Sequence, residues 1–272
     1  MKTCLTIAGS DCSGGAGIQA DLKTFAAHKV YGMSVITALT AQNTLGVHDI
    51  SLVDPAFITK QIEVVFDDIR PDSIKIGMLG NKDVVSCVAQ QLEKHQMKNV
   101  VLDPVMISTS GDPLLDQQAV RTLIDELIPH TTIITPNVSE LITLCEAQNI
   151  EVGDTEHIKP KQLEQLNCAL FDSLVNNNNG DKIAILSKGG HLDSNDSADL
   201  LVSSNGQQWF AGERVITNNT HGTGCTLSSA ICARLSLGDS LAEACSNAKK
   251  YVSSALAKKL DLGKGNGPLK HY

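Results

Sequence analysis

Short apolar runs alternate along this chain with stretches whose apolar residues recur every three or four positions. Cys4 to Ala8 reads as a strand, and a glycine-rich loop leads from it into a helix from about Ala16 to His28. Ser34 to Leu39 is a second apolar run. Pro55 opens a helix with Ile58, Ile62, Val65, Phe66 and Ile69 on one face. Ser73 to Ile76 is a short strand, and Val84, Val85, Val88 and Leu92 stripe the next helix. Asn99 to Leu102 is strand again. Ala119, Val120, Leu123, Ile124 and Leu127 mark a helix that stops near Pro129. Thr132 to Thr135, a helix carrying Leu163, Leu166, Leu170 and Leu174, and Ile183 to Leu186 continue the alternation.

Strand–helix alternation of this kind predicts a three-layer α/β/α fold, with a mostly parallel sheet covered by helices on both faces. The rhythm breaks at Asp199 to Val215. There Ser204-Asn205-Gly206 reads as a turn between Leu200-Leu201-Val202 and Gln208-Trp209-Phe210, an antiparallel edge hairpin. Helices at Gly224 to Leu237 and Ser240 to Leu260 close the pattern. Asn176 to Asn179 with Gly180 reads as a polar surface loop, so residues 1–272 are taken as a single domain.

Composition narrows the partners. Net charge is −8, aromatic residues make up 3% of the chain, and no long basic run occurs. Nucleic acid and anionic membranes are therefore poor partners, and a small diffusible substrate fits better. The eight cysteines include no C-x-x-C pair, which argues against a structural zinc site or a redox motif. No leader-like segment precedes the first strand, and no apolar run approaches the about 18 residues of a membrane span, so the expected compartment is the reducing cytoplasm.

Polar residues collect just after the predicted strands: Gly9-Ser10-Asp11, Gly77-Met78, Asp103-Pro104, Pro136-Asn137 with Glu140, and Lys188-Gly189-Gly190. In an open α/β sheet the carboxyl ends of the strands are where ligands bind. The richest stretch is Asn218-Asn219-Thr220-His221-Gly222-Thr223-Gly224-Cys225-Thr226, running into an apolar helix. Its glycines admit a close ligand, and the start of the helix offers unpaired N–H groups to an oxyanion or phosphate. Cys225 there is expected to tend toward thiolate, a possible base or nucleophile. The plainer alternative is a tight turn with a buried cysteine. Asp103 and Glu140 together suit a Mg²⁺ ion near phosphates, the alternatives being a helix cap and an exposed helix residue. Lys188 would neutralise a phosphoryl group, or else be a solvated surface charge. Asp21, early in its helix, would otherwise only compensate the dipole. The loop from Gly9 to Gly17 is neither a Walker A loop nor a G-x-G-x-x-G fingerprint.

Six segments in order carry a resemblance. They are Gly9-Ser10-Asp11 with Gly14 to Thr24, Thr37 to Thr44, Lys75 to Leu79, Asp103 to Met106, Thr135-Pro136-Asn137 with Glu140, and His221 to Thr226. Together the chain resembles the bacterial hydroxymethylpyrimidine/phosphomethylpyrimidine kinases of thiamin synthesis, in the ribokinase superfamily. The resemblance implies a ribokinase-like fold and an ATP- and Mg²⁺-dependent kinase. Such an enzyme phosphorylates 4-amino-5-hydroxymethyl-2-methylpyrimidine and then its monophosphate. Carried over by motif, Gln42 and Asp21 would lie against the pyrimidine, and Gly9, Met78 and Val105 would line its pocket. A glutamine amide offers the donor and acceptor that an aminopyrimidine edge needs. Asp103 and Glu140 would serve Mg²⁺ and Lys188 the phosphates. Gly222, Thr223, Gly224 and Cys225 would form the anion hole, and Ile107 to Pro113 a flap. Relatives are commonly dimers, which makes a homodimer the expectation here.

Two rivals stay open: a pyridoxal or pyridoxine kinase of the same subfamily, and a non-catalytic nucleotide-binding sensor on the same fold. The segment Thr40-Ala41-Gln42-Asn43-Thr44 favours the pyrimidine kinase over the first. The joint presence of Asp103, Glu140, Lys188 and Cys225 favours an enzyme over the second.

Overall fold

In the computed structural model, which describes residues 1–107, 114–115, 117–155, 158–176, 183–191 and 197–272, nine strands join in one sheet. In chain order they are β1 (Thr3–Asp11), β2 (Tyr31–Asn43), β3 (Gly46–Leu52), β4 (Ser73–Ile76), β5 (Val100–Leu102), β6 (Ile133–Ile134), β7 (Ala184–Ser187), β8 (Asp199–Ser203) and β9 (Gly206–Phe210). Their order across the sheet is β3-β2-β1-β4-β5-β6-β7-β8-β9. From β2 to β7 all neighbours are parallel. Central strands β4 and β5 are buried along their whole length, as strands covered on both faces must be.

Helices cover both faces. On one side α2 (Pro55–Asp68), α3 (Lys82–His95), α4 (Gln117–Thr122), α5 (Val138–Ala147) and α6 (Pro160–Leu174) pack their apolar stripes on residues such as Leu5, Ile7, Ile74 and Leu102. On the other, α1 (Gly17–Ala27), α7 (Thr223–Ser236) and α8 (Leu241–Ala257) enclose Cys4, Val101, Ile133 and Leu186. The three-layer prediction therefore holds. Among the described residues no helix is long and apolar enough to cross a membrane.

Local chemistry sets the helix starts. Asp54 caps α2 through the N–H of Ala56 at 2.8 Å, ahead of Pro55 in the first turn. Asn137 with Glu140, and Ser240 with Glu243, form reciprocal capping boxes on α5 and α8. Helix α7 differs. It starts at Gly222, in the left-handed region at φ 84°, with no side-chain cap.

The predicted hairpin at the 200–210 edge is present as β8–β9. A second hairpin, β2–β3, closes the opposite edge and was not anticipated, because the apolar run at Ser34–Leu39 gives way to polar residues before the strand turns back. The helix α5 also lacks a long apolar stripe and escaped the periodicity reading. The helix expected from Ala119 to Leu127 changes character. After α4 the chain widens into a π turn at Leu123–Leu127 and then tightens into a 3-10 turn at Ile128–His130, where Pro129 cannot continue an α-helix. The flap residues 108–113 and loop residues 177–180 lie outside the described residues.

Candidate active site

The strand order reverses between β1 and β4, so the connections diverge there and leave a crevice at the carboxyl edge of the sheet. Gly9 and Met78 sit at that point. A Cβ on Gly9 would lie 3.1 Å from the Met78 sulfur, so this glycine keeps one wall thin. The Thr37 hydroxyl holds the Met78 carbonyl at 2.6 Å. Val105 follows β5, its N–H bonded to the Asp103 carbonyl at 2.8 Å, and is half-buried. Gln42 is the last residue but one of the long strand β2, its amide 3.4 Å from His221 Nε2, and its own oxygen accepts from Thr40 at 3.0 Å.

The charged residues meet next along the edge. Lys188, just beyond β7, donates to Asp103 Oδ1 at 2.8 Å and lies 3.6 Å from Glu140 Oε2. Its backbone is tied to Pro136 at 2.9 Å, which joins the ends of β6 and β7. The Asp103 carboxylate also faces the hydroxyls of Thr135 (3.2 Å) and Ser228 (3.4 Å). Burial disfavours charge on Asp103, but Lys188 and Lys75 hold its carboxyl below the usual range. Glu140 goes the other way: burial pushes its carboxyl up, against the pull of Lys188. Burial would lower the Lys188 ammonium, yet Asp103 and Glu140 raise it. Among the described residues none of the three plain alternatives holds. Asp103 caps no helix, Glu140 is buried rather than exposed, and Lys188 is paired inside the protein.

The start of α7 completes this group. A Cβ on Gly224 would stand 3.4 Å from both Asp103 Oδ2 and Lys188 Nζ, so the uncapped helix end abuts the charged cluster. Thr223 spends its N–H on Thr220 at 3.2 Å. Among the described residues no acceptor faces the N–H groups of Gly224 and Cys225, the donors an anion would meet. Gly222 packs so closely on the Gly15 carbonyl that any side chain there would collide.

The thiol differs from the expectation. Burial pushes Cys225 up to about 11, despite the downward pull of Lys75 and of the Gly17 N–H. A resting thiolate is therefore not favoured. Desolvation outweighs the pull of the helix end, although Cys225 is only partly buried.

Asp21 is fully buried beneath the site, with both oxygens engaged: Oδ2 by Thr6 at 2.6 Å and Lys75 at 2.9 Å, Oδ1 by Ser229 at 2.6 Å. It faces its own ion pair rather than an open pocket, and it lies past the first turn of α1, so dipole compensation is not its role either. Burial would lower the Lys75 ammonium, but Asp21, Cys225 and Asp103 raise it.

Two further charged residues, which the sequence pattern does not single out, support the site's walls. Asp11 accepts from Ser13 (2.8 Å), Gly15 (3.0 Å), Ala16 (2.8 Å) and His221 Nε2 (2.8 Å), which locks the glycine-rich loop against the turn before α7. Burial works against its charge, but these hydrogen bonds, His221 foremost, pull its carboxyl well below the usual range. Lys75 could have been suspected: a lysine inside a four-residue buried strand needs a carboxylate partner.

The residues that can hold a metal are few. Asp103 and Glu140 offer hard oxygens beside the uncapped helix end. Among the described residues no group of three or more His, Cys, Asp or Glu forms an all-protein cage. That suits Mg²⁺, which is commonly held by one or two carboxylates together with substrate phosphates.

With the cluster in place, comparison with known proteins decides its kind. Residues 11–270 match the family model for phosphomethylpyrimidine kinase. The chain belongs to the phosphomethylpyrimidine kinase family. It is 46% identical over 270 residues to the hydroxymethylpyrimidine/phosphomethylpyrimidine kinase of Escherichia coli (strain K12), covering 98% of this chain and 96% of that one. Identity with the Bacillus subtilis (strain 168) enzyme of the same name is 40% over 269 residues, covering 98% and 94%. Among solved structures, the phosphomethylpyrimidine kinase of Clostridium difficile 630 aligns with a TM-score of 0.78 at 42% identity, over 94% of this chain and all of that one. Staphylococcus aureus pyridoxal kinase in complex with AMP-PCP and pyridoxal aligns with a TM-score of 0.85 at 30% identity, over 100% and 93%. As a phosphomethylpyrimidine kinase family member the protein is a phosphotransferase on a ribokinase-like fold.

Proposed function

We propose that the chain, as one kinase domain, transfers the γ-phosphoryl group of ATP to the hydroxymethyl oxygen of 4-amino-5-hydroxymethyl-2-methylpyrimidine, and then a second phosphoryl group to the monophosphate. The observation that carries this reading is the uncapped start of α7 abutting the Asp103–Lys188 pair. A helix end with free N–H groups, a lysine and two carboxylates are the parts that phosphoryl transfer uses. In each turn the acceptor oxygen bonds to the γ-phosphorus, the bond to the bridging oxygen breaks, and ADP departs.

The residues divide as follows. The N–H groups of Gly224 and Cys225, within the Gly222–Cys225 turn, take the oxyanion charge. Lys188 sits on the transferred group, exchanging its hold on Asp103 for the phosphate. Asp103 and Glu140 would hold Mg²⁺ through oxygen, and that ion would neutralise phosphate charge when bound. Gln42 reads the aminopyrimidine edge, with Gly9, Met78 and Val105 against the ring. Asp21 serves from beneath by fixing Lys75, α1 and α7 together. Cys225 meets the carbinol. In the first reaction it accepts the hydroxyl proton only in its thiolate form; in the second the acceptor is already an anion and needs no base.

The protein works on a small molecule in the cytoplasm. Its open edge strand β3 and the neighbouring Leu39, Leu45, Leu52 and Phe57, all exposed apolar residues, favour pairing with a second copy. Sedimentation should therefore give a dimer, and Phe57→Lys a monomer.

The decisive test is product analysis with ATP and Mg²⁺ on the pyrimidine alcohol and on pyridoxal. Conversion of the alcohol to the monophosphate and then the diphosphate is expected. Phosphorylation of pyridoxal with no diphosphate of the pyrimidine would overturn the reading in favour of the pyridoxal kinase.

A further inference from the structure

The residues that follow α8 return to the site and bond to two loops on opposite walls of it. On one side is Thr44, at the tip of the β2–β3 hairpin and two positions beyond Gln42. Its hydroxyl accepts from the N–H of Lys264 (3.1 Å) and of Gly265 (3.2 Å), and its carbonyl accepts from Asn266 (2.9 Å). On the other side is the turn leading to α7. Asn219 donates to Asp261 at 2.9 Å, Gly267 donates to Asn218 at 2.9 Å, and His221 donates to Gly267 at 3.0 Å. The fit is close on both sides. A side chain at Gly265 would collide with the Thr44 carbonyl, and one at Gly267 with the Asn219 amide.

One short segment, residues 261–268, thus pins the hairpin tip just beyond Gln42 and the turn that leads into α7. The two walls meet where the Gln42 amide stands 3.4 Å from His221 Nε2. Neither wall is held by the sheet alone at this point: Thr44 lies beyond the last residue of β2, and Asn219 precedes the start of α7.

We propose that residues 261–268 act as a clasp that sets the separation between Gln42 and the Gly222–Cys225 turn, with Thr44, Asn219 and Asp261 as positioning residues for the pyrimidine alcohol. This rests on the placement of the ring against Gln42 proposed above. The ring must satisfy Gln42 while its carbinol reaches the γ-phosphorus, so a Gln42 displaced from the turn holds the alcohol less tightly. ATP, held on the other side of the turn by Lys188 and the helix end, does not span the clasped gap.

The test compares Thr44→Val, which keeps the shape and loses the acceptor, with Thr44→Ser, which keeps the hydroxyl. Asp261→Ala removes the side-chain part of the second attachment and leaves the Gly267 backbone bonds; Asp261 is exposed but holds φ 49°, so its thermal midpoint is read beside the kinetics, and Gln42→Ala is the reference. KM and kcat are measured for the alcohol and for ATP, alongside thermal midpoints. Thr44→Val and Asp261→Ala should raise the KM for the alcohol roughly tenfold, as expected for a lost hydrogen-bonded anchor. The KM for ATP should stay within twofold, and Thr44→Ser should restore the wild-type values. The clasp is refuted if Gln42→Ala raises the KM for the alcohol while both clasp variants leave it unchanged, or if the KM values for alcohol and ATP rise together. An inert Gln42→Ala would instead remove the ring placement itself, and the clasp's role with it.

Discussion

Lys75 and Asp21 form an ion pair in which both side chains are fully buried, 2.9 Å apart. Replacing Lys75 with Met keeps most of the volume and removes the ammonium. The Asp21 carboxylate then keeps only the hydroxyls of Thr6 and Ser229. Breaking a buried pair from one side typically costs about 3–5 kcal/mol, because the remaining charge is stranded. The double variant Asp21→Asn/Lys75→Met removes both charges while Asn still bonds the two hydroxyls, so it should be less destabilised than Lys75→Met alone. Urea unfolding of the wild type, both single variants and the double variant gives the coupling through a double-mutant cycle. A coupling of at least about 2 kcal/mol is expected. A Lys75→Met variant within about 0.5 kcal/mol of wild type, the range of an ordinary surface change, would refute the claim that this pair ties β4, α1 and α7 together. So would a double variant showing the plain sum of the single effects.

Lys188→Met should lower kcat by roughly 10²–10³-fold with a small change in KM for the alcohol, as for loss of one preorganised charge donor, checked by steady-state kinetics. Gly222→Ala should destabilise the protein by at least about 1–3 kcal/mol, since φ there is 84° and the new methyl would strike Gly15, checked by thermal unfolding. The Asp11 carboxyl lies lower in the folded chain than in the unfolded chain. Its stabilising effect is therefore complete above the ordinary carboxylate pKa of about 4 and drains away as pH falls further. Acid unfolding should be correspondingly less steep below that pH in Asp11→Asn. Chelation by EDTA should abolish turnover and leave the thermal midpoint nearly unchanged, because among the described residues no all-protein cage would hold the ion.

Much of this was legible because the chemistry follows short parallel strands. Ile76, Leu102, Thr135 and Leu186 each end an apolar run, and the polar residues just beyond them fall on one edge whatever the helices do. The hairpin at Gly206 was readable from its turn residues, whereas the β2–β3 hairpin was not: Thr40 to Asn43 are polar, and Gly46 to Leu52 lack a clean alternation. What sequence could not convey is enclosure. A thiol at a helix start suggests a thiolate, and only packing shows that burial of Cys225 outweighs the helix end. Likewise Asp21 reads as a ligand or a dipole partner until Lys75 and Ser229 appear beside it. The Asp11–His221 contact joins residues 210 positions apart and leaves no local pattern.

The most direct test of phosphoryl transfer at the Gly222–Cys225 turn follows the two reactions separately in Cys225→Ala. Near the thiol's value of about 11 transfer to the alcohol should fall by about 10²–10⁴-fold, the usual worth of a positioned proton acceptor, and the loss should shrink toward neutral pH, where little thiolate exists. In the wild type it should climb with pH toward the thiol's value of about 11, a rise missing from the variant. Transfer to the monophosphate should change by less than about tenfold. Equal losses in both reactions, or undiminished rates in both, would contradict the role given to the Cys225 thiol, because alanine keeps the backbone N–H that faces the phosphate.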